Sequence, residues 1–366
     1  MKKPLPDPQM QANELFELTY NAVKWELLRA ALVLNLFDDL STPKTADEIA
    51  DSFSLHLQNT EHFLNALTAQ GYLVKDNDRY CNTPTTEALL TRGKDTFVGE
   101  SLLFMEAWHR PLQHGVLLNL VRNGPYRLQN LTDENLWEGA ARISLNACRT
   151  GRAQKIASQV AALPEFPSFS RMLDLGSGPG MIGIAVTAAH SSLQCCLFDQ
   201  PAVCKVADEV IAEYGMEDRV TTLSGDYLVD DIGKDYDFVL ACYTFNFYRD
   251  HLDEVLARIH QVLRPGGVFM VVSDGLAKDR TAPATTVISW LSTALQGTDM
   301  SFVQGQIADA MLRVGFVSTQ RHMLNDLDIE AHGPTEITIG KKAPETICVS
   351  PSYSCRNTTT STPRPY

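Results

Sequence analysis

The stretch Arg171-Met-Leu-Asp-Leu-Gly-Ser-Gly-Pro-Gly180 constrains the fold of this chain more than any other. An apolar run holding Asp174 passes into a loop with glycines at 176, 178 and 180, and a helical pattern follows from Met181 to Ala189. Glycine lets the backbone turn sharply and approach a ligand closely, and the start of a helix offers N–H groups without intrahelical partners. About one βαβ half-unit downstream, a second apolar run, Gln194 to Asp199, ends in an acid. An acid there either begins the next helix at Gln200-Pro201 as an exposed residue or accepts both hydroxyls of a ribose.

Further short apolar runs at Val220 to Ser224, Phe238 to Tyr243, Gly267 to Ser273 and Glu336 to Ile339 have helical patterns between most of them. Alternation of β and α at this spacing predicts a doubly wound, mostly parallel sheet, a Rossmann-like α/β domain over residues 166–342. Pro265-Gly266-Gly267 reads as the tight turn into one of its strands. The tail 343–366, rich in Ser, Thr and Pro and without periodicity, reads as disordered.

The N-terminal part has a different texture. From Glu14 to Leu40 apolar residues recur at three- and four-residue spacing, and the apolar face is too wide for one surface stripe, so this helix is expected to pack on a second surface. The capping box Thr45-Ala-Asp-Glu48 opens a helix to Phe53, a third helix runs from about Asn59 to Gln70, and extended pieces follow at 72–75 and 79–83. Three helices and a hairpin over residues 1–95 suggest a mainly helical, winged-helix-like domain. Residues 96–165 read as bridging helices interrupted at Asn123-Gly-Pro125 and Leu131 to Glu134.

A winged helix invites a DNA-binding reading, and charge argues against it. The formal net charge is −13, and the candidate recognition helix NTEHFLNALTAQG carries no Lys or Arg. Nucleic acid and anionic lipid both attract basic surfaces. The eight cysteines form no CxxC pair and show no zinc spacing, so they read as free thiols of a reducing compartment, and no metal site is expected. With no run approaching 18 apolar residues and no apolar stretch behind the N-terminal lysines, the chain reads as soluble and cytoplasmic.

Asp199 by itself suits NAD and S-adenosylmethionine (SAM) equally. Later elements choose between them: LDLGSGPG at 173–180, FDQPAV at 198–203, SGDYL at 224–228, DFVLACYTFNFY at 237–248 and LRPGGVFMVV at 263–272. Together these resemble the class I SAM-dependent methyltransferases, and more narrowly the small-molecule O-methyltransferase family that includes caffeate and polyketide O-methyltransferases. NELFELTYNAVKWELLRAALVLNLFDDL looks like that family's dimerisation domain, so the resemblance spans residues 12–342. It implies SAM as cofactor with S-adenosylhomocysteine (SAH) as product, a small-molecule acceptor, and a homodimer burying surface around Leu15, Leu28 and Leu32. By the same resemblance Asp174, Gly176, Gly178, Gln200 and Cys242 flank the cofactor, Asp199 binds its ribose, Asp226 accepts from the adenine amino group and Tyr227 packs on the ring. Phe104, Trp108, His114, Phe247 and Trp290 line the acceptor pocket.

The family pattern breaks where its catalytic chemistry sits. Members usually carry a His there that takes the acceptor's proton; here Phe245-Asn246-Phe247-Tyr248 puts Asn246 in that place. An amide can orient an acceptor but has no usable basicity near neutral pH. Cys242 stands where the family has a basic residue, and Asp299 where it has a Glu that steadies the His. Asp299 could orient a substrate or another base, or cap a helix over 302–312. His109 or His114 could supply a base or be structural, while His251 and His260 are expected to face solvent or sheet. Without a base, proximity and alignment can still drive methyl transfer, because the SAM sulfonium is already activated. Both O- and C-methylation then stay open, as does a SAM-binding pseudoenzyme or winged-helix regulator.

Overall fold

The computed structural model describes residues 12–113, 115–125, 134–324 and 334–345. The N-terminal unit comprises α1 (Asn13–Leu34), α2 (Leu36–Asp39), β1 (Lys44–Thr45), α3 (Ala46–Phe53), α4 (Leu57–Ala69), β2 (Leu73–Asp76), β3 (Arg79–Asn82) and α5 (Pro84–Leu89). The helix expected to run to Leu40 breaks at Asn35, which adopts a left-handed φ of 55° and starts α2 in a new direction. At α3 the capping box forms in full: Thr45 accepts from the Glu48 amide, and the Glu48 carboxylate accepts from the Thr45 amide. Three short strands pair antiparallel in the order β1-β3-β2. Beneath them Leu28, Leu32, Leu36, Phe37, Leu64 and Leu67 share one core.

The bridge comprises α6 (Gly99–Trp108), α7 (Val116–Asn123), α8 (Glu134–Ala147) and α9 (Ala153–Ala161). Between α8 and α9 the chain makes a wide turn, Cys148–Arg152, where Gly151 takes φ 118°.

The C-terminal domain alternates β4 (Arg171–Leu175), α10 (Met181–Ala188), β5 (Gln194–Asp199), α11 (Pro201–Glu213), β6 (Val220–Ser224), β7 (Tyr236–Cys242), α12 (Leu252–Val262) and β8 (Leu263–Asp274). It closes with α13 (Ala284–Leu295), α14 (Gln306–Arg313), β9 (Ser318–Leu324) and β10 (Thr335–Lys341). The seven strands lie in the order β6-β5-β4-β7-β8-β10-β9. β4 through β8 run parallel, and β10 returns antiparallel against both β8 and β9. This is the doubly wound, mostly parallel sheet expected.

Alternation along each strand feeds two cores. On β7, Phe238 and Leu240 enter one cluster while Val239 and Ala241 enter the other. Burial on both faces keeps the central strands almost continuously apolar. The Pro265-Gly266-Gly267 turn lies inside β8 rather than ahead of it. Tyr236 pairs with Leu263 and Phe238 with Val268, so residues 264–267 bulge out of register. Topology reverses at β4, which has β5 on one side and β7 on the other, and the crevice beyond the carboxyl ends of these strands is where such sheets bind ligands.

Candidate active site

A cavity of about 750 Å³ opens at that crevice, between the sheet and the bridging helices α6 and α8. Its floor is the glycine loop. Gly176 takes φ 69°, and a Cβ there would lie 2.2 Å from the Thr244 hydroxyl oxygen, so only glycine fits beneath that side chain. Gly178 takes φ 55° but has no atom within 4 Å of its would-be Cβ, leaving its backbone bare toward the cavity.

Two carboxylates border this end. Asp199 accepts from the backbone amides of Gly178 and Gln200, each at 2.8 Å, and Gln200 itself lines the wall. Burial pushes Asp199 up to about 6 against those two bonds. Asp174 is 1% exposed, and its Oδ2 has no hydrogen-bond partner in the described structure. Burial first, and then the charge of Asp199, raise it to about 7, with the Gly183 amide opposing. A buried, under-bonded acid beside a bare glycine backbone fits a ligand that brings hydroxyls and positive charge.

Tyr227 is buried, with its hydroxyl on Thr244 (3.0 Å), and its ring lies 4.3 Å from that of Tyr248. Asp226 is exposed and off the cavity wall, and one of its carboxylate oxygens accepts from the Leu228 amide at 2.9 Å. Cys242 does border the cavity, with burial holding its thiol well above the ordinary range. Arg152, from the wide turn after α8, also reaches the cavity and opposes that rise, so a guanidinium stands near Cys242, where the family has its basic residue.

The other end is aromatic. Phe104 and Trp108 of α6 stack at 6.4 Å, Trp137 of α8 meets Phe247 edge-on at 4.7 Å, and Trp290 of α13 donates its indole N–H to Asp274 at 2.5 Å. All five rings line the cavity. So does Tyr243, held at φ 52° at the end of β7 with its hydroxyl 2.7 Å from that of Thr335.

Asn246 is 2% exposed, lines the cavity and donates its side-chain N–H to the Met300 carbonyl at 2.9 Å. Asp299 lies beside it but is neither a free carboxylate nor a helix cap, because α14 begins only at Gln306 behind Gly305. One oxygen is salt-bridged to Arg249 (2.8 Å) and Arg280 (2.5 Å), and the other accepts from the Ser301 hydroxyl and amide. Burial would raise its pKa, but Ser301 and the two guanidiniums outweigh that and hold it low. A base it is not.

Among the histidines, His109 ends α6 and is not part of the cavity lining, and His114 lies outside the described residues. His260 packs edge-on against Phe316 away from the site. His251, expected against solvent or sheet, is exposed yet borders the cavity, its Nδ1 3.2 Å from Glu254. Among the described residues no group of three or more His, Cys, Asp or Glu is placed to hold a metal, and no helix is long and apolar enough to cross a membrane. Arg152 and Arg249 escaped the sequence reading because an isolated arginine looks like any surface charge.

Comparison with known proteins agrees with this geometry. The O-methyltransferase domain family model matches residues 141–316, and the O-methyltransferase dimerisation domain model matches 16–92, together about two thirds of the chain. The N,N-dimethyltransferase OxyT of Streptomyces rimosus is 27% identical over 89% of this chain and 98% of its own length. The tetracenomycin polyketide synthesis 8-O-methyl transferase TcmO of Streptomyces glaucescens is 24% identical over 90% of this chain and 96% of its own. Among solved structures, human N-acetylserotonin methyltransferase in complex with SAM superposes with a TM-score of 0.74 at 19% identity, covering 93% of this chain and 100% of that one. That last likeness is one of fold.

Proposed function

The chain belongs to the small-molecule O-methyltransferase family, and on that premise we propose that this SAM-dependent methyltransferase methylates a small cyclic or aromatic acceptor mainly by holding it in line. The observation that carries the proposal is the cavity itself, one volume joining a glycine-and-carboxylate end to an aromatic end with Asn246 in its wall.

When bound, SAM supplies an electrophilic methyl on a sulfonium. The chain's own residues hold and align the partners. Asp199, already fixed by two amides, presents its carboxylate to the ribose hydroxyls, and Tyr227 and Tyr248 flank the adenine. Arg152 would hold the carboxylate of the methionyl part and Asp174 its ammonium, both residues lining the cavity. The rings of Phe104, Trp108, Phe247 and Trp290 would shield a flat acceptor from water. Asn246 orients the acceptor and accepts no proton. Proximity and orientation are worth about 7 to 11 kcal/mol of a barrier when reacting atoms are aligned, enough for catalysis without a base. Methylation at oxygen and at an electron-rich ring carbon are both compatible with that design.

The test is a ligand-dependent thermal shift. SAH at about 100 times its Kd should stabilise the native state by about 2.7 kcal/mol, and Asp199→Ala should remove most of that gain. Stabilisation by NAD in place of SAH, or an Asp199→Ala protein that responds like wild type, would reject the assignment.

A further inference from the structure

Where the family keeps a His and a Glu, this chain sets a guanidinium, Arg249, in the cavity wall. The turn Phe245–His251 is tied to the segment 299–301 by donors to two successive carbonyls: Asn246 Nδ2 to Met300 and Arg249 Nη1 to Asp299, at 2.9 and 2.7 Å. Arg249 Nη1 also faces the Asp299 carboxylate at 2.8 Å, so one nitrogen makes every hydrogen bond this guanidinium forms with the described residues. Nη2 and Nε are left over, on a side chain that borders the cavity and is 26% exposed. Asp299 does not cancel Arg249, because Arg280 shares the same carboxylate from outside the cavity lining. Two guanidiniums share the Asp299 charge, and Asp250, which also borders the cavity, offsets the second of them, so what this wall offers is the unbonded edge of Arg249. The other charged groups at this edge are Asp250, which is exposed, and His251, which Glu254 engages.

We infer that the acceptor binds as an oxyanion, the ionised ring oxygen of an acidic phenol or enol, with the free N–H groups of Arg249 as its counter-ion. This rests on the methyltransferase reading and deepens it. A planar guanidinium suits an oxygen anion in a site partly shielded from water, and a cation within a few ångströms favours the charged form of its partner. The absent base then has no task. The oxyanion's electron pair forms the new O–C bond, the C–S bond breaks with its pair remaining on sulfur, and the products are a neutral ether and neutral SAH. No proton is released. Charge neutralisation also weakens the product's hold on Arg249 and favours its departure.

The probe is 4-nitrophenol, whose ionisation is visible by absorbance, added to protein saturated with SAH so that no sulfonium contributes. The bound phenol should titrate about one unit or more below its free value. Its methyl ether, 4-nitroanisole, should bind at least tenfold more weakly than the phenolate. Arg249→Gln should abolish both effects and Arg249→Lys should keep part of them. Arg280→Gln, which leaves the Asp299 carboxylate to Arg249 alone but keeps the free N–H groups of Arg249, should weaken both effects without abolishing them. A bound phenol that titrates at or above its free value, no binding of the phenol to the SAH-loaded protein, or a shift that survives Arg249→Gln would each overturn the inference while leaving the cofactor assignment intact. Failure of SAH itself to bind would remove both.

Discussion

Asp174 carries an electrostatic penalty that follows directly from its surroundings: full burial, one unbonded oxygen and a second carboxylate nearby. Its folded pKa, about 7, lies above the 3.8 of the unfolded chain, so between those values the folded state binds the extra proton. This contribution to stability is present below pH 4 and is lost as pH rises through 7. Asp174→Asn should therefore stabilise the ligand-free protein at pH 8, by about 1 to 4 kcal/mol, and much less at pH 4. Urea unfolding at both pH values measures it, and a variant less stable than wild type at pH 8 would refute the account. SAM brings positive charge to the same place, so its binding near pH 6 to 7 should release protons, seen as a buffer-dependent heat in calorimetry. Much at this scale was legible beforehand. Asp174 within β4, Asp199 at the end of β5 and Asn246 shortly after β7 announce themselves by position. Asp226 sits outside the cavity wall with one oxygen on the Leu228 amide, a placement its motif does not reveal. Arg152 became visible only when the wide turn Cys148–Arg152 placed it near Cys242.

At the scale of elements, the loop from β4 to α10 makes two different demands on its glycines. Gly176→Ala drives a Cβ into Thr244 at 2.2 Å in a left-handed backbone, and Thr244 in turn holds Tyr227. It should destabilise the apo protein by about 1 to 3 kcal/mol and disorder the cofactor end as well. Gly178→Ala meets open space and should cost only the roughly 1 kcal/mol of its positive φ, while SAH affinity still falls because the methyl occupies cavity. Equal apo stabilities for the two variants, by thermal or urea unfolding, would contradict this distinction. Strand legibility followed burial. β4, β5 and β6 begin and end where their apolar runs do, whereas β9, Ser318–Leu324, went unnoticed because five of its seven residues are exposed at the sheet edge and none is buried. An edge strand paired on one side needs no apolar alternation, so its sequence carries little strand signal.

Across the whole molecule, α1 divides into two halves with different partners. Leu28 and Leu32, expected at a subunit contact, sit at 8% and 7% exposure inside the protomer's own core. Leu15, Phe16, Leu18, Tyr20 and Val23 are more than half exposed, and all but Leu15 fall in the stretch that matches the dimerisation domain. A second copy covers such a face in a homodimer. Phe16→Glu together with Leu18→Glu should therefore yield a folded monomer by light scattering at micromolar concentration, with protomer stability nearly unchanged. Leu28→Ala should instead lower that stability by about 2 to 5 kcal/mol. A double variant that stays dimeric would place the contact elsewhere. The division was hidden in the sequence because one continuous apolar pattern serves two surfaces.

Three of the four tryptophans, Trp108, Trp137 and Trp290, border the cavity, each on a different helix, while Trp25 lies on α1. The protein's ultraviolet emission therefore originates mostly from the walls of its own binding chamber. Anything that enters changes the polarity around those indoles or quenches them directly. Occupancy can be followed by light from the unlabelled chain, with Trp25, which is not part of the cavity lining, as an internal reference.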